Sequence, residues 1–137
     1  MLTTELMGGL GNQLFQIFTL LAHSINTKNA FYFEQKEIAN GVRKVQYWDS
    51  FLASLKSFVK PPQQIQHTIR EQGFHYNALP TASTAASTKM LGYFQSYKYF
   101  DDKKAMLCRM LGIPKHQERM RAAMHAAENT VSMHFRI

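Results

Sequence analysis

The sequence predicts an α/β fold, and three observations carry that expectation. A short run of strand-forming residues at 2–6 opens onto a glycine-rich turn, Gly8-Gly9-Leu10-Gly11, and then onto an apolar helical stretch. After that helix and the polar break at residues 26–29, Ala30-Phe31-Tyr32-Phe33-Glu34 reads as an aromatic strand, completing a βαβ unit that argues for a parallel sheet. Further on, a strand over residues 90–94 delivers Gln95 and Ser96 to its C-terminal end, the end at which open α/β sheets bind ligands.

The first helix is justified by Leu14, Phe15, Ile17, Phe18, Leu20, Leu21 and Ala22, which follow three- and four-residue steps with no Pro or Gly before Asn26. Asn12 is the expected N-cap, its side-chain oxygen accepting from a first-turn N–H. A glycine loop between a strand and a helix points backbone N–H groups at whatever lies above it. The helix dipole adds partial positive charge there, which suits an anionic or hydroxyl-rich ligand; a tight turn whose glycines serve packing alone is the competing explanation. A phosphate-binding P-loop requires Gly-Lys-Ser or Gly-Lys-Thr, and Gly11 is followed by Asn12-Gln13. The dinucleotide fingerprint matches at Gly9 and Gly11 but meets Leu14 at its third glycine, although Glu34 stands where it wants an acid.

Residues 35–46 read as a loop containing Gly41. From Tyr47, the residues Trp48, Phe51, Leu52, Leu55 and Phe58 predict a helix ended by Pro61-Pro62, with the single tryptophan in the core. Residues 63–77 predict one or two short strands, and His75, set between aromatics, reads as a structural histidine or as part of an acceptor site. Residues 79–89, rich in small hydroxylated side chains, read as a surface loop or a flexible linker. Ser96 is expected to cap a helix carrying Tyr99, Phe100, Met106, Leu107, Met110 and Leu111, and Gly112-Ile113-Pro114 stops it. Another helix, residues 115–128, places Met120, Ala123, Met124 and Ala127 on one side, so that two helices pack on the sheet. Residues 131–137 alternate as a strand and carry His134 and Arg136.

Composition narrows the function classes. The 137 residues suffice for one domain with a real core, and 45% hydrophobic content with 18% charged residues excludes a disordered tail. A formal charge of +7 favours anionic ligands. The basic side chains between Lys98 and Arg121 read first as a solvated helical surface, and no nucleic-acid module accompanies them. Cys108 is alone, which excludes an internal disulfide and a cysteine zinc cluster; it sits among apolar neighbours as a buried, inert thiol. The six histidines form no i, i+4 pair, so no metal is expected. There is no signal-peptide pattern and no apolar run long enough to span a bilayer.

Three stretches carry a family resemblance. Gly-Gly-Leu-Gly-Asn-Gln-Leu-Phe-Gln at residues 8–16 resembles the opening signature of family 11 glycosyltransferases, the galactoside α-1,2-fucosyltransferases. Gly-Tyr-Phe-Gln-Ser at 92–96, followed by Tyr99-Phe100, is similar to a second pattern of that family. His134 and Arg136 match the first and third positions of its H-x-R-R-G-D signature, where Ile137 replaces the second arginine and the chain stops before Gly-Asp.

The resemblance implies a GT-B enzyme of two Rossmann-like domains, with residues 1–128 as the N-terminal, acceptor-side α/β domain and 129–137 as the first strand of a truncated GDP-fucose-binding domain. It implies inverting transfer of fucose from GDP-fucose to the 2-hydroxyl of a galactose-terminated glycan, without metal or other cofactor. On that basis Gly8, Gly9, Gly11, Asn12, Gln13 and Gln95 border the substrate cleft, and Arg136 and His134 are the catalytic candidates. Arginine suits such a donor because its planar, always-charged fork grips phosphate oxygens at two points as charge builds on the leaving pyrophosphate. Glu5 and Glu34 are candidates for the base that deprotonates the acceptor hydroxyl, with nothing to choose between them. The polypeptide alone is expected to be inactive, being a split-gene piece whose donor domain a separate chain supplies, a relic, or a domain cut for study. A cytoplasmic location is expected, with membrane association allowed, and no nucleic-acid partner. Two alternatives stay open: a dinucleotide-binding oxidoreductase domain resting on Gly9, Gly11 and Glu34, and a non-catalytic basic binding module using residues 98–121.

Overall fold

The computed structural model describes residues 1–35, 47–81 and 86–124. In chain order the elements are β1 (Leu2–Thr4), α1 (Leu10–Thr27), β2 (Phe33–Glu34), a 3-10 helix (Ala53–Phe58), β3 (Val59–Lys60), β4 (His67–Arg70), β5 (Thr88–Leu91), two 3-10 turns (Tyr97–Tyr99 and Asp101–Lys103), α2 (Lys104–Met110) and α3 (Ile113–Met124). The fold is mixed α/β around a small parallel sheet.

β5 pairs in parallel with β1 on one side and β4 on the other, and β2 pairs in parallel with β3. Leu2 bridges to Phe31, its N–H donating to the Ala30 carbonyl at 2.7 Å while the Tyr32 N–H donates to the Leu2 carbonyl at 3.0 Å. The two ladders therefore line up as β3-β2-β1-β5-β4. A second link crosses over β1: Lys89 Nζ on β5 lies 2.8 Å from Glu34 Oε2 on β2 and 3.9 Å from Glu5 Oε2.

Strand alternation sorts the side chains. Leu2, Phe33 and Met90 belong to the core together with Ile17, Leu20, Leu21, Trp48, Leu52 and Leu55. Thr3 and Lys89 are register partners one step along from Leu2 and Met90, so they take the other side of the sheet, where Lys89 meets Glu34. Tyr32 is fully buried; burial, and then the Glu34 carboxylate, push its phenol above the ordinary value. Trp48 packs at 5.2 Å from Phe33 as a core residue.

Several expectations are corrected. Residues 47–58 form turns and a 3-10 helix instead of an α-helix. Leu52, Leu55 and Phe58 recur every three residues, which matches the 3-10 repeat, and the Leu55 N–H donates to the Leu52 carbonyl at 2.9 Å. Ser96 precedes only the short 3-10 turn and makes no side-chain cap; the α-helix starts at Lys104. Thr88 and Lys89, expected in a loop, open β5, and that strand ends at Leu91 because Gly92 (φ +156°) and Phe94 (φ +50°) turn the chain away. α3 buries none of its side chains: Met120 and Met124 are more than half exposed, and the helix contacts α2 instead of the sheet. α2 does reach the core, through Leu107 and against α1. Of the aromatics after β5, Phe94, Tyr99 and Phe100 are buried as expected while Tyr93 and Tyr97 are exposed. His75 lies on the surface.

Candidate functional site: the strand-end crevice

β1 leads through α1 to β2 on one side, while its other neighbour, β5, arrives from much later in the chain. A crevice opens where neighbouring strands depart in opposite directions, above their C-terminal ends. Residues 5–9 leave β1 there and residues 92–95 leave β5 there, so the two stretches singled out in the sequence meet. The contact is direct: Gln95 Nε2 donates to Asn12 Oδ1 at 2.7 Å across 83 residues of chain.

Asn12 is not the cap of α1. Gly9 holds the cap position with φ −75° and ψ 177° and offers no side chain, and the first helical bond runs from the Gln13 N–H to the Gly9 carbonyl at 3.0 Å. Asn12 lies inside the first turn, its side chain turned to Gln95. The N–H groups of Leu10, Gly11 and Asn12 precede that first bond, so helix geometry leaves them without intrahelical acceptors, and among the described residues no side chain caps them.

The three glycines divide into two kinds. Gly8 has φ +73°, and a Cβ there would stand 2.4 Å from Asn12 Nδ2, so both the turn and the asparagine require glycine. Gly9 and Gly11 have ordinary φ, and a Cβ on either would meet nothing within 4 Å. Neither packing nor backbone conformation demands glycine at these two exposed positions. The bare backbone faces open space at the mouth of the crevice.

Gln13 and Gln16 are loop braces. Gln13 is buried, its Nε2 donating to the Gly8 carbonyl at 2.9 Å, so that amide N–H is turned inward. Gln16 accepts from the Met7 N–H at 2.9 Å and donates back to the Met7 carbonyl at 3.3 Å. The loop is fixed from beneath before any ligand arrives.

Glu71 was invisible in the sequence. At the end of β4, its Oε2 accepts from the Tyr93 N–H at 2.8 Å and the Phe94 N–H at 2.9 Å, and it fills the space where a Gly92 Cβ would sit, at 2.4 Å from its own Cβ. This carboxylate holds the turn that presents Gln95. The signal for it was the glycine at 92, not the glutamate. Family-model, curated-protein and solved-structure comparisons return no match for the chain.

Of the two base candidates, Glu34 is joined to Lys89 and Glu5 lies within 3.9 Å of the same ammonium. Both therefore belong to a charge cluster on the sheet. His134 and Arg136 lie outside the described residues, as does the expected strand carrying them. Among the described residues no group of three His, Cys, Asp or Glu is placed to hold a metal ion, and no helix is long and apolar enough to cross a membrane. The basic residues Lys98, Lys104, Arg109, Lys115, Arg119 and Arg121 are exposed, spread over the turn after β5, α2 and α3.

Proposed function

We propose that this chain forms the N-terminal, acceptor-side part of a family 11 glycosyltransferase, a Rossmann-like half of a GT-B enzyme. The reaction would be inverting, metal-independent transfer of fucose from GDP-fucose to the 2-hydroxyl of a galactoside. The observation that carries the reading is the uncapped first turn of α1, with bare backbone at Gly9 and Gly11 and the Asn12–Gln95 amide pair beside it. Free N–H groups at a helix start suit phosphate oxygens. An amide pair offers both donors and acceptors to sugar hydroxyls. The motif resemblance at residues 8–16 and 92–96 falls on these same two segments, and Arg136 would grip the pyrophosphate.

Calorimetric titration of the purified chain separately with GDP-β-L-fucose, lactose and NADH tests this reading. Saturable binding of GDP-fucose or lactose, weakened by Gln95→Ala, is expected. NADH binding without either of the others transfers the crevice to the dinucleotide alternative, and silence from all three ligands removes the reading.

A further inference from the structure

At the end of the sheet opposite the crevice, α1 carries a buried histidine that lines two cavities. His23 is 7% exposed, and its backbone carbonyl accepts from Thr27 Oγ1 at 2.7 Å. Two cavities open on it, about 230 Å³ towards Tyr76, Tyr99 and Lys98, and about 240 Å³ towards Leu2, Ile69 and Thr88.

The first of these has the makings of a site. Tyr76 and Tyr99 form one wall, their ring centroids 4.9 Å apart, and Tyr99 is held by its hydroxyl, which accepts the Asn77 N–H at 3.1 Å. Asn26, Lys98 and Asp102 ring the mouth with an amide, an ammonium and a carboxylate, all solvent-accessible. Burial holds the His23 imidazole below its ordinary value, so at neutral pH it presents one N–H donor and one bare nitrogen acceptor. The volume is below the roughly 300–1,000 Å³ of sites for drug-sized ligands, so the occupant is a single small ring.

We propose that this cavity, floored by His23 and walled by Tyr76 and Tyr99, binds a monosaccharide-sized cyclic polyol. Its apolar face would lie on the tyrosines, and its vicinal hydroxyls would reach Asp102, Lys98, Asn26 and the imidazole. Aromatic wall, mixed donors and acceptors at the mouth, and a buried imidazole at the floor together match a ring with one greasy face and a hydroxyl rim. The site is independent of the fucosyltransferase reading, because it lies at the opposite ends of the strands.

The test is a titration of the full chain, labelled in its histidine rings and backbone amides, with D-galactose, L-fucose and D-glucose, and with glycerol as an acyclic control, each to about 50 mM. Saturable displacement of the His23 ring resonance by at least one sugar and not by glycerol is expected, with affinity falling about fivefold or more in Tyr76→Ala and in Asp102→Asn. Tyr76 and Asp102 are exposed enough for both variants to fold, which their amide spectra verify. Movement confined to the amides of Gly9, Gly11 and Asn12 overturns the proposal while leaving the crevice reading intact. Equal response to glycerol, or no response at all, also overturns it.

Discussion

Replacing the glycines of the β1–α1 loop one at a time separates what the fold needs from what a ligand needs. In Gly8→Ala the methyl is forced into a left-handed backbone (φ +73°) and meets Asn12 Nδ2 at 2.4 Å, so Asn12 must swing off Gln95. Left-handed strain in alanine costs about 1–2 kcal/mol, and the lost amide bond, near the surface, about 0.5–1 kcal/mol. For a chain of this length that total lowers Tm by about 5–10 °C. In Gly11→Ala the methyl meets no atom within 4 Å and φ is ordinary, so the residue gains helix propensity. The gain is up to about 1 kcal/mol, and Tm rises by about 2–4 °C. Yet that methyl projects where the bare backbone faces the crevice, so binding of GDP-fucose or lactose falls sharply in the more stable variant. Paired thermal melts and titrations read both effects. A Gly11→Ala protein that binds as well as the parent refutes the ligand role of the bare glycines, and an unshifted melt in Gly8→Ala refutes the loop geometry.

Other consequences follow from the same structure. Glu71→Ala removes the acceptor for two backbone N–H groups, so it should cost about 1–2 kcal/mol in denaturant unfolding and free the Gln95 side-chain amide from its bonded chemical shift. His23 binds its proton more weakly in the folded than in the unfolded chain, so stability falls as pH drops through 6.5. His23→Asn should flatten that acid-side slope in chemical denaturation between pH 7 and 5, and an unchanged slope contradicts the burial argument.

Local signals were legible and distant ones were not. The apolar periodicity of residues 14–22 located α1, and the glycines located the turn before it, because both are properties of contiguous sequence. The meeting of Asn12 with Gln95 was legible only as two separate strand-to-helix junctions. Their direct bond, 83 residues apart, depends on β5 lying beside β1. The cap was misplaced because an asparagine near a helix start usually serves its own backbone, whereas Asn12 serves Gln95 and leaves capping to Gly9. The methionine spacing of residues 115–128 predicts a helix packed on the sheet, but α2 takes the place against α1 and leaves Met120 and Met124 exposed. Glu34, the acidic residue of the dinucleotide pattern and a candidate base, does stand at a strand end. Its chemistry is set by Lys89, 55 residues away, which no local pattern discloses.

On the proposed function, a sugar-nucleotide or galactoside occupies the crevice between residues 8–12 and Gln95. Amide-resolved NMR titration of the full chain with GDP-β-L-fucose, repeated with lactose, tests it most directly. Saturable shifts are expected in at least one of the two titrations, centred on the backbone amides of Gly9, Gly11 and Asn12 and on the Gln95 side-chain amide, and absent in Gly11→Ala. Shifts centred elsewhere with these amides unmoved, or no shifts in either titration, would contradict it.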